Sequence, residues 1–129
     1  MAAPRLAPDI ACDRQPPLIA LLRFAALECR TAPRADLPPG EAMRDAAVEE
    51  MAVLLARMLP TLLQRRPVIR RPGAADLSFD ESWLLALARA LSGGDAASAR
   101  FLLARRARPE GAAVLRMLVG DLAARLDFS

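Results

Sequence analysis

The strongest periodic signal in the chain lies in residues 40–66. On a helical wheel of about 100° per residue, Met43, Ala47, Met51, Leu54, Leu55, Met58, Leu59 and Leu62 form one continuous stripe, with Asp45, Glu49 and Arg57 outside it. The pattern predicts a long amphipathic helix over residues 40–66. A kink or break is expected at residues 56–60, because Pro60 lacks a backbone donor and crowds the carbonyl four residues back.

A second helix is predicted over residues 17–30, PLIALLRFAALECR, which opens on a proline suited to a first helical turn. It is apolar on nearly every face; only Arg23 and Arg30, one heptad apart, mark an outer strip. Such a helix is either central to a core or half of an interface. Residues 1–16, with Pro4, Pro8 and Pro16 and no helical period, read as a loosely ordered tail, and residues 31–40 as a turn-rich connection.

Pro67, Pro72 and Gly73 make residues 66–77 a poor helix, so this segment is expected to be an extended crossover. It ends at Ser78, whose spacing to Glu81 fits a capping box. The helix that follows carries Trp83, Leu84, Leu87, Ala88 and Leu91 on its apolar side and stops at Ser92-Gly93-Gly94. Asp95 is placed to cap a helix over residues 96–106. Pro109 begins the last helix, striped by Val114, Leu115, Leu118, Val119, Leu122 and Leu126, with Gly111 near its start where a close crossing would fit. The short connections require these three helices to pack on one another. The expected architecture is all-α: a compact bundle of about five helices formed by a single domain, residues 17–129.

Composition narrows the chemistry. The chain has 129 residues and no histidine, lysine, tyrosine or asparagine, and all 18 basic side chains are arginine. A coding bias toward G and C accounts for that absence without restoring what is lost. No imidazole base, Schiff-base amine or phenolic acid is available, and neither serine nor cysteine has a residue to activate it. The acids are nine Asp and six Glu, and pairs such as Asp45 with Glu49 or Asp80 with Glu81 match no ordered oxygen-ligand loop. An enzyme is not expected, and no catalytic residue, metal site, cofactor or small-molecule substrate is assigned. Cys12 and Cys29 share no CxxC spacing and read as free thiols of a reducing cytoplasm. The most apolar stretch, residues 17–27, is interrupted by Arg23 and falls short of the roughly 20 residues a spanning helix needs. No membrane association is expected, and a cytoplasmic location follows by default.

The net charge is only +3. The arginines nevertheless cluster, at Arg65, Arg66, Arg70 and Arg71 and again at Arg105, Arg106 and Arg108. Both clusters begin at predicted helix C-termini, while Glu41, Asp45, Asp80, Glu81, Asp95 and Glu110 fall at predicted N-termini, so helix-end electrostatics accounts for much of the pattern. The pair of helices around Gly93-Gly94 invites a helix-turn-helix reading. The phase opposes it: Arg100, Arg105 and Arg106 point roughly 260°, 40° and 140° around from Phe101. An αα-hairpin is the better description.

These features predict a non-enzymatic adaptor or regulator that binds a protein partner through an apolar helical surface rimmed by arginine. The residues assigned to that surface are Trp83, Phe101, Arg70, Arg71, Arg105 and Arg106. A lone tryptophan on the apolar side of a helix also suits the core. The alternative is a small nucleic-acid-binding regulator using both arginine clusters. A homodimer is expected as well, because an unbroken helix over residues 40–66 would span close to 40 Å and leave apolar surface uncovered together with residues 17–30.

Overall fold

The sequence pattern is realised as five helices and no strand among the described residues, which are 16–31 and 47–126 of the computed structural model. They are α1 (Pro17–Thr31), α2 (Val48–Leu62), α3 (Phe79–Ser92), α4 (Ala96–Arg106) and, after a 3-10 turn at Pro109–Gly111, α5 (Ala112–Arg125). The expectations for the tail, for Cys12, for Glu41 and Asp45, and for Met43 lie outside the described residues. No helix among the described residues is long and apolar enough to cross a membrane.

The bundle is built by successive pairing. Helix α2 packs between α1 and α5, α5 packs on α3, and α4 folds back on α3 as the second arm of a hairpin. One apolar core runs through all five, from Leu18 and Leu22 of α1 through Leu55 and Leu59 of α2 to Leu84, Leu103 and Leu118. Leucine and alanine fill it almost without rings, as the composition requires.

Helix α2 is shorter than its stripe. Ala47 is extended (φ −65°, ψ 157°), so the helix begins at Val48, with the Glu50 carboxylate accepting from the Ala47 N–H at 2.9 Å. The chain runs through Pro60 without a break and leaves the helix at Leu63, which is extended. A tertiary bridge ends it: Gln64 N–H donates to the Arg106 carbonyl at 2.9 Å and Arg108 N–H to the Leu62 carbonyl at 2.8 Å. A 15-residue helix is about 22 Å long, not 40 Å. Among the described residues its stripe of Met51, Leu54, Leu55, Leu59 and Leu62 is buried within the chain. On α1, Phe24 and Leu27 remain exposed.

Helix termination also corrects the reading of the arginines. Arg105 and Arg106 do lie in the last turn of α4, but the last turn of α2 contains no basic residue. Arg65, Arg66, Arg70 and Arg71 therefore lie beyond the reach of the helix-end account. The crossover that carries them has neither helix nor strand over residues 66–71 and turns at Gly73, whose φ of 89° suits glycine.

The largest departure from the sequence pattern is Arg23. It does not mark an outer strip; its side chain is 1% exposed and pairs with Glu81, which is wholly buried. Arg23 Nε and Nη2 donate to the two Glu81 oxygens at 2.8 and 2.9 Å, Nη1 donates to the Ala74 carbonyl at 2.7 Å, and Nη2 also reaches the Asp76 carbonyl at 2.9 Å. Glu81 accepts in addition from Ser78 N–H at 2.9 Å and Arg70 N–H at 3.0 Å, while Ser78 Oγ accepts from Glu81 N–H at 3.0 Å. The capping box read from Ser78 and Glu81 is thus present, and its glutamate also anchors α1 and the crossover.

Burial opposes ionisation of Glu81, but the hydrogen bonds from Arg23, Ser78 and Arg70 outweigh it and hold its pKa below the ordinary glutamate range. The ionised pair therefore stabilises the fold fully above the pH where an unfolded glutamate ionises, about 4.3. That contribution is lost as pH falls through the lower folded value. Arg23→Ala, which strands the buried carboxylate, is expected to cost about 3–5 kcal/mol in urea unfolding at neutral pH. Glu81→Gln should flatten the decline in stability below about pH 4.3, and an unchanged acid limb would exclude Glu81 as its source.

Gly111 supplies a second close approach. A Cβ there would lie 3.0 Å from both the Leu62 carbonyl oxygen and its Cδ2, whereas one on Gly120 would meet Leu91 Cδ1 at 3.8 Å. Gly111→Ala is expected to destabilise by about 1–3 kcal/mol. Gly120→Ala, inside α5, should be neutral or stabilise by up to about 1 kcal/mol. Thermal unfolding of the two variants checks the contrast.

Candidate functional site

The αα-hairpin is closed by Gly94, at φ 73°, and by Asp95, whose carboxylate accepts from Ser98 N–H at 3.1 Å. The Ser98 hydroxyl and N–H together hold the exposed Asp95 carboxyl below the usual aspartate range. This turn sets α3 and α4 antiparallel, which brings the first turn of α3 beside the last turn of α4. The Leu63–Ala107 bridge then delivers the start of the crossover to the same place. Three segments distant in sequence converge there.

They enclose a groove of about 550 Å³. Trp83 and Leu102 form its floor, and the Trp83 indole N–H donates to the Leu102 carbonyl at 3.0 Å. Trp83 is only 5% exposed and belongs to the core cluster, so its main role is packing, with one edge lining the groove. Phe79 and Phe101 stand at the sides and are 69% and 61% exposed. Arg65, Arg105 and Arg106 complete the rim.

Each exposed ring carries a guanidinium. Arg106 lies 4.9 Å from the centroid of Phe79, and Arg105 lies 5.7 Å from that of Phe101. Such pairing fixes flexible arginines in place before any ligand arrives. Arg106 is held further by an ion pair with Asp80, whose other carboxylate oxygen accepts from Val68 N–H at 2.8 Å. Its Nε has no hydrogen-bond partner among the described residues. Arg105 and Arg65 are exposed.

Of the six residues assigned from sequence, Trp83, Phe101, Arg105 and Arg106 meet in this groove. Arg70 and Arg71 do not line it; both are exposed on the crossover, where Arg70 contributes its backbone N–H to Glu81. The assignment missed Phe79, Arg65 and Gln64. Phe79 could have been found, since it precedes Trp83 by four residues on the same helix face. Arg65 stands in an arginine cluster, but nothing local places it or Gln64 at the groove, because their position depends on the bridge to Ala107. Among the described residues, no three acidic or cysteine side chains gather where they could hold a metal ion.

Comparison of the chain with protein-family models, curated proteins and solved structures gives no match. The site is therefore read from its own geometry.

Its two kinds of aromatic residue differ in what they support. Trp83→Ala should lose about 3–5 kcal/mol of stability, because it empties a buried volume. Phe101→Ser should stay within about 0.5 kcal/mol of the parent chain. Guanidinium unfolding curves for both variants distinguish a core ring from a surface ring.

Proposed function

We propose that this protein is a non-enzymatic adaptor or regulator that holds a protein partner in the groove between α3 and α4. The observation that carries this reading is the pair of exposed phenylalanines, each with an arginine stacked on it, flanking an apolar floor. Large exposed apolar groups concentrated at one concave place mark interaction sites. Aromatic rings and arginines are the residues that dominate binding energy at protein interfaces.

The groove suits recognition better than chemistry. Its polar side chains are arginines and Gln64, with no acid or base poised near neutrality. On binding, Phe79 and Phe101 would supply buried apolar area, while Arg65 and Arg105 would pair with acidic groups and contribute orientation and association rate. The stacking on the rings reduces the entropy that the arginines lose on docking. A nucleic-acid reading would use both arginine clusters. It draws less support, since Arg70 and Arg71 lie outside the groove and Asp80 partly neutralises Arg106.

Affinity capture from the native cell extract, at low and high salt, tests this reading. Proteins retained by the parent chain and lost with the Phe79→Ser, Phe101→Ser double variant are expected. The loss corresponds to about 2 kcal/mol per ring, or roughly 30-fold in affinity for each. Recovery that is sensitive to nuclease and falls steeply with salt, unaffected by the two ring substitutions, would instead assign the arginines to nucleic acid.

A further inference from the structure

The groove does not end at Phe101. A second cavity of about 460 Å³ continues along the same hairpin toward its turn, and Phe101 and Leu102 line both. On α3 the lining positions are Phe79, Trp83, Ala86, Arg89 and Ala90, of which the four uncharged ones step by four, three and four residues. On α4 they are Ser98, Phe101, Leu102, Arg105 and Arg106, of which Ser98, Phe101 and Arg105 step by three and four residues. The two cavities adjoin at Phe101 and Leu102 and together follow α3 from Phe79 to Ala90, about 17 Å of helix, and this path is the channel.

The form of the occupant follows from what the walls offer. Alternating steps of three and four on two antiparallel helices create the ridges and holes that receive a third helix. The channel walls are helical, so their backbone groups are already committed, and the indole N–H of Trp83 is spent on Leu102. An extended peptide would find few partners for its own backbone along this floor. A helix satisfies its backbone internally and needs only an apolar face. At the far end Ala86, Ala90 and Ser98 are small, which permits close approach of another helix.

Charge is uneven along the channel. Arg65, Arg105 and Arg106 gather at the end formed by the first turn of α3, whereas the turn end has Arg89 beside Asp95. We propose that the channel receives an amphipathic helix of a protein partner, with its apolar face on Phe79, Trp83 and Phe101 and its acidic side chains at the end that carries Arg65 and Arg105. This rests on the protein-binding reading above and adds the partner's conformation, length and charge polarity.

The test is selection of a phage-displayed library of random peptides of about 16 residues against the full chain, followed by measurement of synthetic copies of the enriched sequences. Enriched peptides should carry apolar residues at i, i+3 or i+4, and i+7, with Asp or Glu clustered at one end. Their helical circular dichroism should increase on binding. Affinity should fall at least about tenfold with Phe101→Asp and with Arg105→Glu, and also with Ser98→Trp, which obstructs the far half of the channel. Each of these positions is exposed, and the circular dichroism of each free variant verifies its fold. Peptides that bind without gaining helicity, or that ignore Ser98→Trp, would overturn the helix while leaving a protein-binding groove. Enrichment no greater than that obtained with Phe101→Asp as bait would overturn both. A dimer of the chain that Phe101→Asp dissociates would give the channel to a second copy and overturn the inference as well.

Discussion

The rest of the structure depends on one ion pair, between Arg23 in the middle of α1 and Glu81 in the first turn of α3. Removing two charges from water costs several kcal/mol for each, and their attraction offsets this only when the remaining donors and acceptors are also satisfied. Here the surroundings meet that demand. Arg23 gives its other hydrogen bonds to the carbonyls of Ala74 and Asp76, and Glu81 receives the N–H groups of Ser78 and Arg70. A segment with three prolines or glycines and no internal ladder is thereby fixed against two helices. The pair contributes most to the register of the crossover, since an apolar pair of similar volume could fill the space but would not specify which carbonyls lie there.

That register reaches the groove through the neighbouring residue. With Glu81 turned inward, Asp80 sits one step around the helix, where it accepts from Val68 N–H and pairs with Arg106. Arg106 in turn lies over Phe79. The order of dependence runs from a buried charge in α1, through the N-terminus of α3, to a cation on the rim. Arginine suits each step for a different reason. Its planar fork matches the Glu81 carboxylate at Arg23, and its flat face stacks on the rings at Arg105 and Arg106. Lysine would provide neither geometry, so a composition that began as compositional bias has structural consequences.

Local signals made much of this legible in sequence, and tertiary ones hid the remainder. The capping box at Ser78 and Glu81, the glycine stop and the Asp95 cap are chemistry within four residues, and they placed α3 and α4 closely. The same hairpin brings Trp83, Phe101, Arg105 and Arg106, which the sequence offers only by residue type, into one place. Arg23 was misread because a helical wheel treats every charge as outward-facing, and nothing near it announces a carboxylate 58 residues away. The end of α2 was misread because its apolar period continues while its backbone partners change, with Gln64 and Arg108 taking bonds across to another segment. Arg70 and Arg71 were included on charge density, but the crossover spends its backbone, not those side chains, on the fold.

Two of the three exposed phenylalanines among the described residues, Phe79 and Phe101, share one place that the bundle does not explain. A core selected only for stability has no use for rings at Phe79 and Phe101, because most of each surface faces water and contributes little transfer free energy. Phe79 follows the N-cap of α3 directly, a position where many residues serve the helix equally well. Stacking by one arginine per ring recovers only a fraction of the cost, about 0.5–1 kcal/mol at exposed sites. The two rings stand on either side of one channel, with a cation aligned on each and a buried indole beneath. Small polar residues at both positions would leave the core unchanged, so it is this placement, and not any demand of the bundle, on which the proposed partner-binding reading rests.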